Sequence, residues 1–181
     1  MLPLQAIAAG LILMVFDLNV GDPPIDLVPD PVGWAAMFYG AGRLPATWQH
    51  RRLLVGLAAV AGVISLFLWI PGFGASISAA DESLLWALDL PASGFVGVLA
   101  YSMMIAATAG GDGSAHGWWL AVLIGTGLTL VLPVLVYGAP MGAVVLFAVA
   151  VALGTVVTCI VLCFRHARRP WVDGPTVLAG S

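Results

Sequence analysis

Leu53 to Ile70 reads LLVGLAAVAGVISLFLWI, eighteen residues without a charge, preceded by Arg51 and Arg52 and closed by Trp69 ahead of Pro71 and Gly72. As an α-helix this run rises about 27 Å at 1.5 Å per residue, close to the ~30 Å hydrocarbon core of a bilayer. It is apolar on every face, whereas a surface helix of a soluble protein keeps one face polar. The run reads as a transmembrane helix, bounded by basic residues on one side and an interfacial tryptophan on the other.

Similar runs lie on both sides of it. Towards the C-terminus they are Gly94–Ala109, Trp118–Tyr137 and Met141–Phe164; towards the N-terminus, Val32–Leu44 and Leu2–Leu18. The sequence therefore predicts an all-α, polytopic membrane helix bundle with six transmembrane helices, at 2–18, 32–44, 53–70, 94–109, 118–137 and 141–164. They form a single domain, 1–164, followed by a polar cytoplasmic tail, 165–181. The second run is short, but Asp30 and Pro31 make a good N-cap and first-turn pair. Its Gly33, Ala36 and Gly40 share one face, as helices in close contact require. Gly74–Pro91 mixes Asp81, Glu82 and Asp89 with leucines and Trp86, which suits a short helix on the membrane surface or an extension of the fourth span kinked at Pro91. GGDGSAHG, Gly110 to Gly117, reads as a flexible loop, and Trp118 and Trp119 as aromatic-belt residues.

Composition excludes a water-soluble domain: 61% of the 181 residues are hydrophobic and 8% charged, against about 45–50% and about 25% in soluble proteins. The net charge of −3, without a clustered basic face, excludes nucleic acid as a partner. All six basic residues are arginines, at 43, 51 and 52 and at 165, 168 and 169. The positive-inside rule puts both groups in the cytoplasm, giving an N-in/C-in protein of the plasma membrane. Asp17, Asp22, Asp26, Asp30, Asp81, Glu82 and Asp89 then fall outside. Met1–Met14 has no Lys or Arg before its apolar run and no small-x-small cleavage site, so it reads as a retained first span.

The polar segment most able to carry chemistry is Asp17 to Asp30, with carboxylates at 17, 22, 26 and 30 among Pro23, Pro24 and Pro29. Oxygen-rich clusters can hold a divalent cation or, when desolvated, a proton. Aspartates before prolines also cap helices, and both readings stand. Cys159 and Cys163, four apart on one helical face, are small packing residues, with soft-metal binding or acylation of Cys163 as alternatives. Asp112, Ser114 and His116 have the identities of a nucleophile triad, but two-residue spacing in one loop cannot align base and nucleophile. No cofactor motif and no metal-ligand spacing occurs.

The stretch FDLNVGDPPIDLVPDPVGW, Phe16 to Trp34, resembles a segment of uncharacterised small multi-span bacterial membrane proteins, which carry Asp-x-x-Pro-Asp-x-x-Gly-aromatic after the first span. Asp17, Asp26, Pro29, Asp30, Gly33 and Trp34 occupy the matching places. Pro31 replaces the family's usual aromatic residue, and the insert with Pro23 and Pro24 is longer. The resemblance covers about the first 45 residues and implies no activity.

These features favour a non-catalytic accessory or structural membrane protein, because no predicted span carries a charge at its middle. The alternative is a permease for a small solute, cation or proton, working through the outer aspartates. An enzyme is least supported. The expected partners are the lipid bilayer and other membrane proteins or a second copy of the chain.

Overall fold

A computed structural model describes residues 1–15, 19–20, 25–26, 30–70, 82–138 and 142–172. Among these residues the chain is all-helical apart from one two-residue ladder. Its elements are α1 (Pro3–Val15), β1 (Asn19–Val20), β2 (Ile25–Asp26), α2 (Asp30–Gly42), α3 (Arg51–Trp69), α4 (Glu82–Ala109), α5 (Gly113–Gly138) and α6 (Gly142–His166), then a 3-10 turn at Pro170–Val172. β1 and β2 pair antiparallel, Asn19 opposite Asp26 and Val20 opposite Ile25.

Four helices, α3 to α6, are long and apolar enough to cross a membrane. α1 and α2 have 13 residues each and rise only about 20 Å. α3 stops where Ile70 turns extended, φ −68° and ψ 121°, the conformation forced on a residue before proline.

Successive helices run antiparallel. Gly40 of α2 lies at Pro3 and Ile7 of α1, and Gly33 at Gly10 and Met14. Leu57 of α3 meets Gly94 of α4, and His50, ahead of α3, meets Ser102. Gly97 of α4 faces Thr126 of α5, and Gly125 of α5 faces Thr155 of α6. Each helix packs on its sequence neighbours, and α6 returns to α1, closing a ring. Its interior holds Trp34 and Phe95, edge to face at 5.8 Å, with Leu99, Met103 and Trp119, all buried. Large apolar side chains cover the outside; Leu146 of α6 is 73% exposed, as a lipid-facing residue is and a water-facing leucine in a row of such residues is not.

The α1–α2 contact depends on missing side chains. A Cβ at Gly33 would lie 2.8 Å from the Gly10 carbonyl oxygen, and one at Gly40 2.7 Å from that of Pro3. These helices approach backbone to backbone, the mode by which membrane helices gain contacts that lipid cannot replace. Ala36 is half-buried beside them.

Several sequence expectations change. Of the two readings of the 82–91 stretch, the extension of the fourth span holds and the separate surface helix does not, because α4 runs unbroken through Pro91. Ser93 Oγ donates to Asp89 Oδ2 at 3.1 Å across the proline, and Trp86 Nε1 donates to the Leu130 carbonyl of α5 at 3.2 Å, pinning the extension to its neighbour. Gly113–Gly117 is not loop but the start of α5. Of the tryptophan pair only Trp118 faces outward; Trp119 is fully buried, since adjacent helical residues point about 100° apart. Residues 71–81 and 173–181, parts of the expected outer segment and tail, lie outside the described residues.

The antiparallel order gathers the α2–α3 and α4–α5 connections, the start of α1 and the end of α6 at one end. All six arginines are there, and Asp30, Glu82 and Asp89 are at or towards the other.

Candidate functional site

At the arginine end the chain folds into three short, tightly bonded pieces. After α2, Trp48 N–H donates to the Pro45 carbonyl and Arg51 N–H to the Trp48 carbonyl. The Arg51 guanidinium donates to the Gly42 carbonyl at 2.6 Å, satisfying an open helix end with a cation. Arg43 lies over the Tyr39 ring, 4.9 Å from its centroid.

The α4–α5 connection is only Gly110, Gly111 and Asp112. Asp112 N–H donates to the Ala107 carbonyl and Gly111 N–H to that of Thr108, a Schellman closure that places its second glycine in the left-handed region; Gly111 has φ +70°. Asp112 then caps α5, its Oδ1 accepting the Ala115 N–H at 3.0 Å. The Gly-Gly-Asp order thus specifies an ordered turn, a signal available in the sequence that the flexible-loop reading overlooks.

The third piece follows α6. Trp48 Nε1 donates to the Val172 carbonyl at 2.9 Å across 124 residues. The Trp171 side chain sits on Gly110, where a Cβ would come within 2.6 Å of it. Its ring lies 5.3 Å from that of His166, and buried His166 Nδ1 accepts from Trp119 Nε1 at 3.1 Å. The start of the expected tail is therefore packed against the bundle: Ala167 and Val172 are buried.

Between these pieces opens a cleft of about 890 Å³, lined among others by Trp48, His50, Ser102, Asp112, Arg169 and Trp171. His50 Nδ1 and Ser102 Oγ are 3.2 Å apart, a serine–histidine pair that sequence reading missed because its members stand 52 residues apart. In this arrangement the serine proton is not aimed at the histidine. Ser102 gives its single hydroxyl proton to the Val98 carbonyl at 2.7 Å, so it accepts from His50 rather than donating to it. Thr108 repeats the arrangement, bonding the Met104 carbonyl at 2.9 Å and His116 Nδ1 at 2.8 Å. The histidines ahead of α3 and in the first turn of α5 thus brace the arginine-end half of α4. The Tyr101 ring lies 5.4 Å from that of His50, tilted to it.

Asp112 is the one described carboxylate at this end. The Ala115 N–H bond holds its pKa below the usual carboxylate range, with a contribution from the charge of Arg169. The Trp171 indole N–H faces Asp112 and adds to the lowering, yet closes no hydrogen bond of normal geometry. A depressed pKa stabilises the fold above the unfolded value and is lost as pH falls through the folded one. We therefore expect Asp112→Ala to lower the melting temperature at neutral pH, and Asp112→Asn, which keeps the capping oxygen but not the charge, to lower it by less. The gap between wild type and Asp112→Ala should close as pH falls below about 4. A gap independent of pH between 3 and 7 would show that the charge contributes nothing.

The predicted outer site lies at the opposite end. Asp17 and Asp22 are outside the described residues, Asp26 belongs to β2, and Asp30 opens α2. Among the described residues no three His, Cys, Asp or Glu side chains are grouped to hold a metal. Cys159 and Cys163 are buried free thiols. The chain matches no protein-family model, no curated protein and no solved structure.

Proposed function

We propose that this chain is a six-span integral protein of the plasma membrane, N-in/C-in, acting as a non-catalytic accessory or structural subunit. The observation that carries this reading is the interior of the ring: from Trp34 and Phe95 to Met103 and Trp119 it is filled by apolar side chains. Among the described residues no charged side chain is buried within it. A pump or ion-coupled carrier would need one there. The committed proton of Ser102 supports the absence of nucleophilic chemistry. A permease using Asp17, Asp22, Asp26 and Asp30 would need a polar path onward, and the buried polar side chains among the described residues, Ser65, Ser102, Thr126, Thr155 and His166, include no carboxylate to continue it. In this reading α1 and α2 cross as a paired short hairpin, lengthened by the β1–β2 segment, and the outward apolar faces meet lipid, a partner membrane protein or a second copy.

Orientation is testable with single cysteines at exposed positions. Ala46→Cys and Ser114→Cys at the arginine end are expected to react only from the cytoplasm, and Ser83→Cys only from outside. Ala167 is unsuitable because it is buried, and native Cys159 and Cys163 are buried and should stay silent. Reaction of position 83 from the cytoplasm would overturn the topology. The accessory role is tested by purification in mild detergent, where the chain should migrate with a partner or as an oligomer. A monomer that drives solute counterflow in proteoliposomes would make it a permease instead.

A further inference from the structure

We propose that the arginine-end cleft binds one phospholipid, and that it selects a headgroup carrying a phosphate and a primary amine. The inference rests on the chain being a membrane protein but not on which way it faces. A cleft of about 890 Å³ falls within the range of specific small-molecule sites, about 300–1,000 Å³. Its walls divide into two chemistries. At the rim stand Arg169, Asp112 and the Trp171 indole. Ile105, Ala106 and Ala109 of α4 form an apolar wall of the same cleft. Residues 101, 105 and 109 share one face of α4, and Tyr101 and Ile105 are exposed large side chains on the bundle's flank. A polar rim that continues into an exposed apolar strip fits a lipid, headgroup outward and acyl chain along α4.

The rim charges select the headgroup. Arg169 and Asp112 both line the cleft and interact through their charges, so a cation and an anion face one space. Guanidinium donors match phosphate oxygens, and basic pockets between membrane helices are a recurrent headgroup site. Arg43 and Arg51 at the same end are engaged with the Tyr39 ring and the Gly42 carbonyl, whereas Arg169 lines the cleft. One oxygen of Asp112 is bonded to Ala115 N–H; the other can accept from an ammonium. Trp171 Nε1 faces Asp112 without closing a hydrogen bond of normal geometry and adds a donor beside it. A trimethylated amine has no N–H for Asp112, and a glycerol headgroup has no positive charge to meet it.

The test is the melting temperature of the purified full chain with short-chain phosphatidylethanolamine, phosphatidylglycerol or phosphatidylcholine, and with phosphoethanolamine and inorganic phosphate alone. Ligand binding to the native state raises it by mass action. The amine lipid should act at a concentration at least about tenfold lower than the other two, and Arg169→Gln should weaken it at least about tenfold. Asp112→Asn, which keeps the cap, should erase only the preference for the amine. Equal effects of all three lipids, or an amine-lipid response untouched by both substitutions, would overturn the proposal. Phosphoethanolamine acting at the same concentration as the lipid would overturn the lipid as its source, since the apolar strip would then contribute nothing. Should a variant not fold, native mass spectrometry of wild type with an equimolar mixture of the three lipids decides; retention without preference counts against the site. None of these failures changes the cysteine-labelling result, so selective lipid binding and membrane topology are judged separately.

Discussion

Trp119→Ala is expected to destabilise the protein by about 3–5 kcal/mol, the cost of deleting a fully buried aromatic side chain. The indole is wholly enclosed, and its Nε1–H is the donor held by buried His166 Nδ1 at 3.1 Å. Truncation opens a void and leaves that nitrogen unpaired. In a bilayer the void is not offset by solvation, because lipid is as apolar as the side chains around it; the loss is one of dispersion contacts. Trp119→Phe separates the two terms, keeping most of the packing and losing the donor, for about 1–3 kcal/mol. Unfolding in detergent, followed by near-ultraviolet circular dichroism, measures both. Trp118→Ala is the control: that side chain is 50% exposed, and an equal loss at position 118 would refute the inward placement of Trp119.

Gly40→Leu should cost at least about 1–3 kcal/mol, the range for forcing extra atoms into a packed interface. The first added carbon would lie 2.7 Å from the Pro3 carbonyl oxygen and 3.0 Å from Ile7 N. Those atoms are backbone and cannot rotate away, so α1 and α2 must separate. Gly42→Leu, two residues on, meets nothing within 4 Å and should be nearly neutral. The pair distinguishes a packing effect from a change in helix propensity, which would favour leucine at both positions. Equal melting temperatures for the two variants would mean that the close approach contributes no stability.

The long helices were legible because hydrophobic length is a local property. Leu53–Ile70 and Met141–Phe164 lie within two residues of α3 and α6 at each end. α4 was harder, since Glu82, Asp89 and Pro91 interrupt its apolar run. What keeps that turn helical, the Trp86 bond to Leu130, comes from a different helix. The cleft was least legible. Ser102 with His50, Trp48 with Val172 and Trp119 with His166 are 52, 124 and 47 residues apart. No local periodicity encodes such pairings; they follow from the ring order of the helices. The Gly-Gly-Asp turn could have been read, because glycine in the left-handed position followed by an N-cap has its own chemistry. Reading it as loop treated glycine as flexibility rather than as conformation.

The ring also sets an order of events during synthesis. Contacts between sequence neighbours can form as soon as the later helix enters the bilayer, so α1 to α5 can dock in the order in which they are made. The seam between α6 and α1, and the bond from Trp48 to Val172, must wait for residues made more than a hundred positions later. Until then the growing chain exposes the α1 edge, and the arginine-end cleft lacks the wall that Arg169 and Trp171 provide. A nascent chain arrested after α5 would therefore be inserted yet unsealed, with Trp119 uncovered where His166 should meet it, and membrane proteases or chaperones could tell it from a finished molecule by that gap.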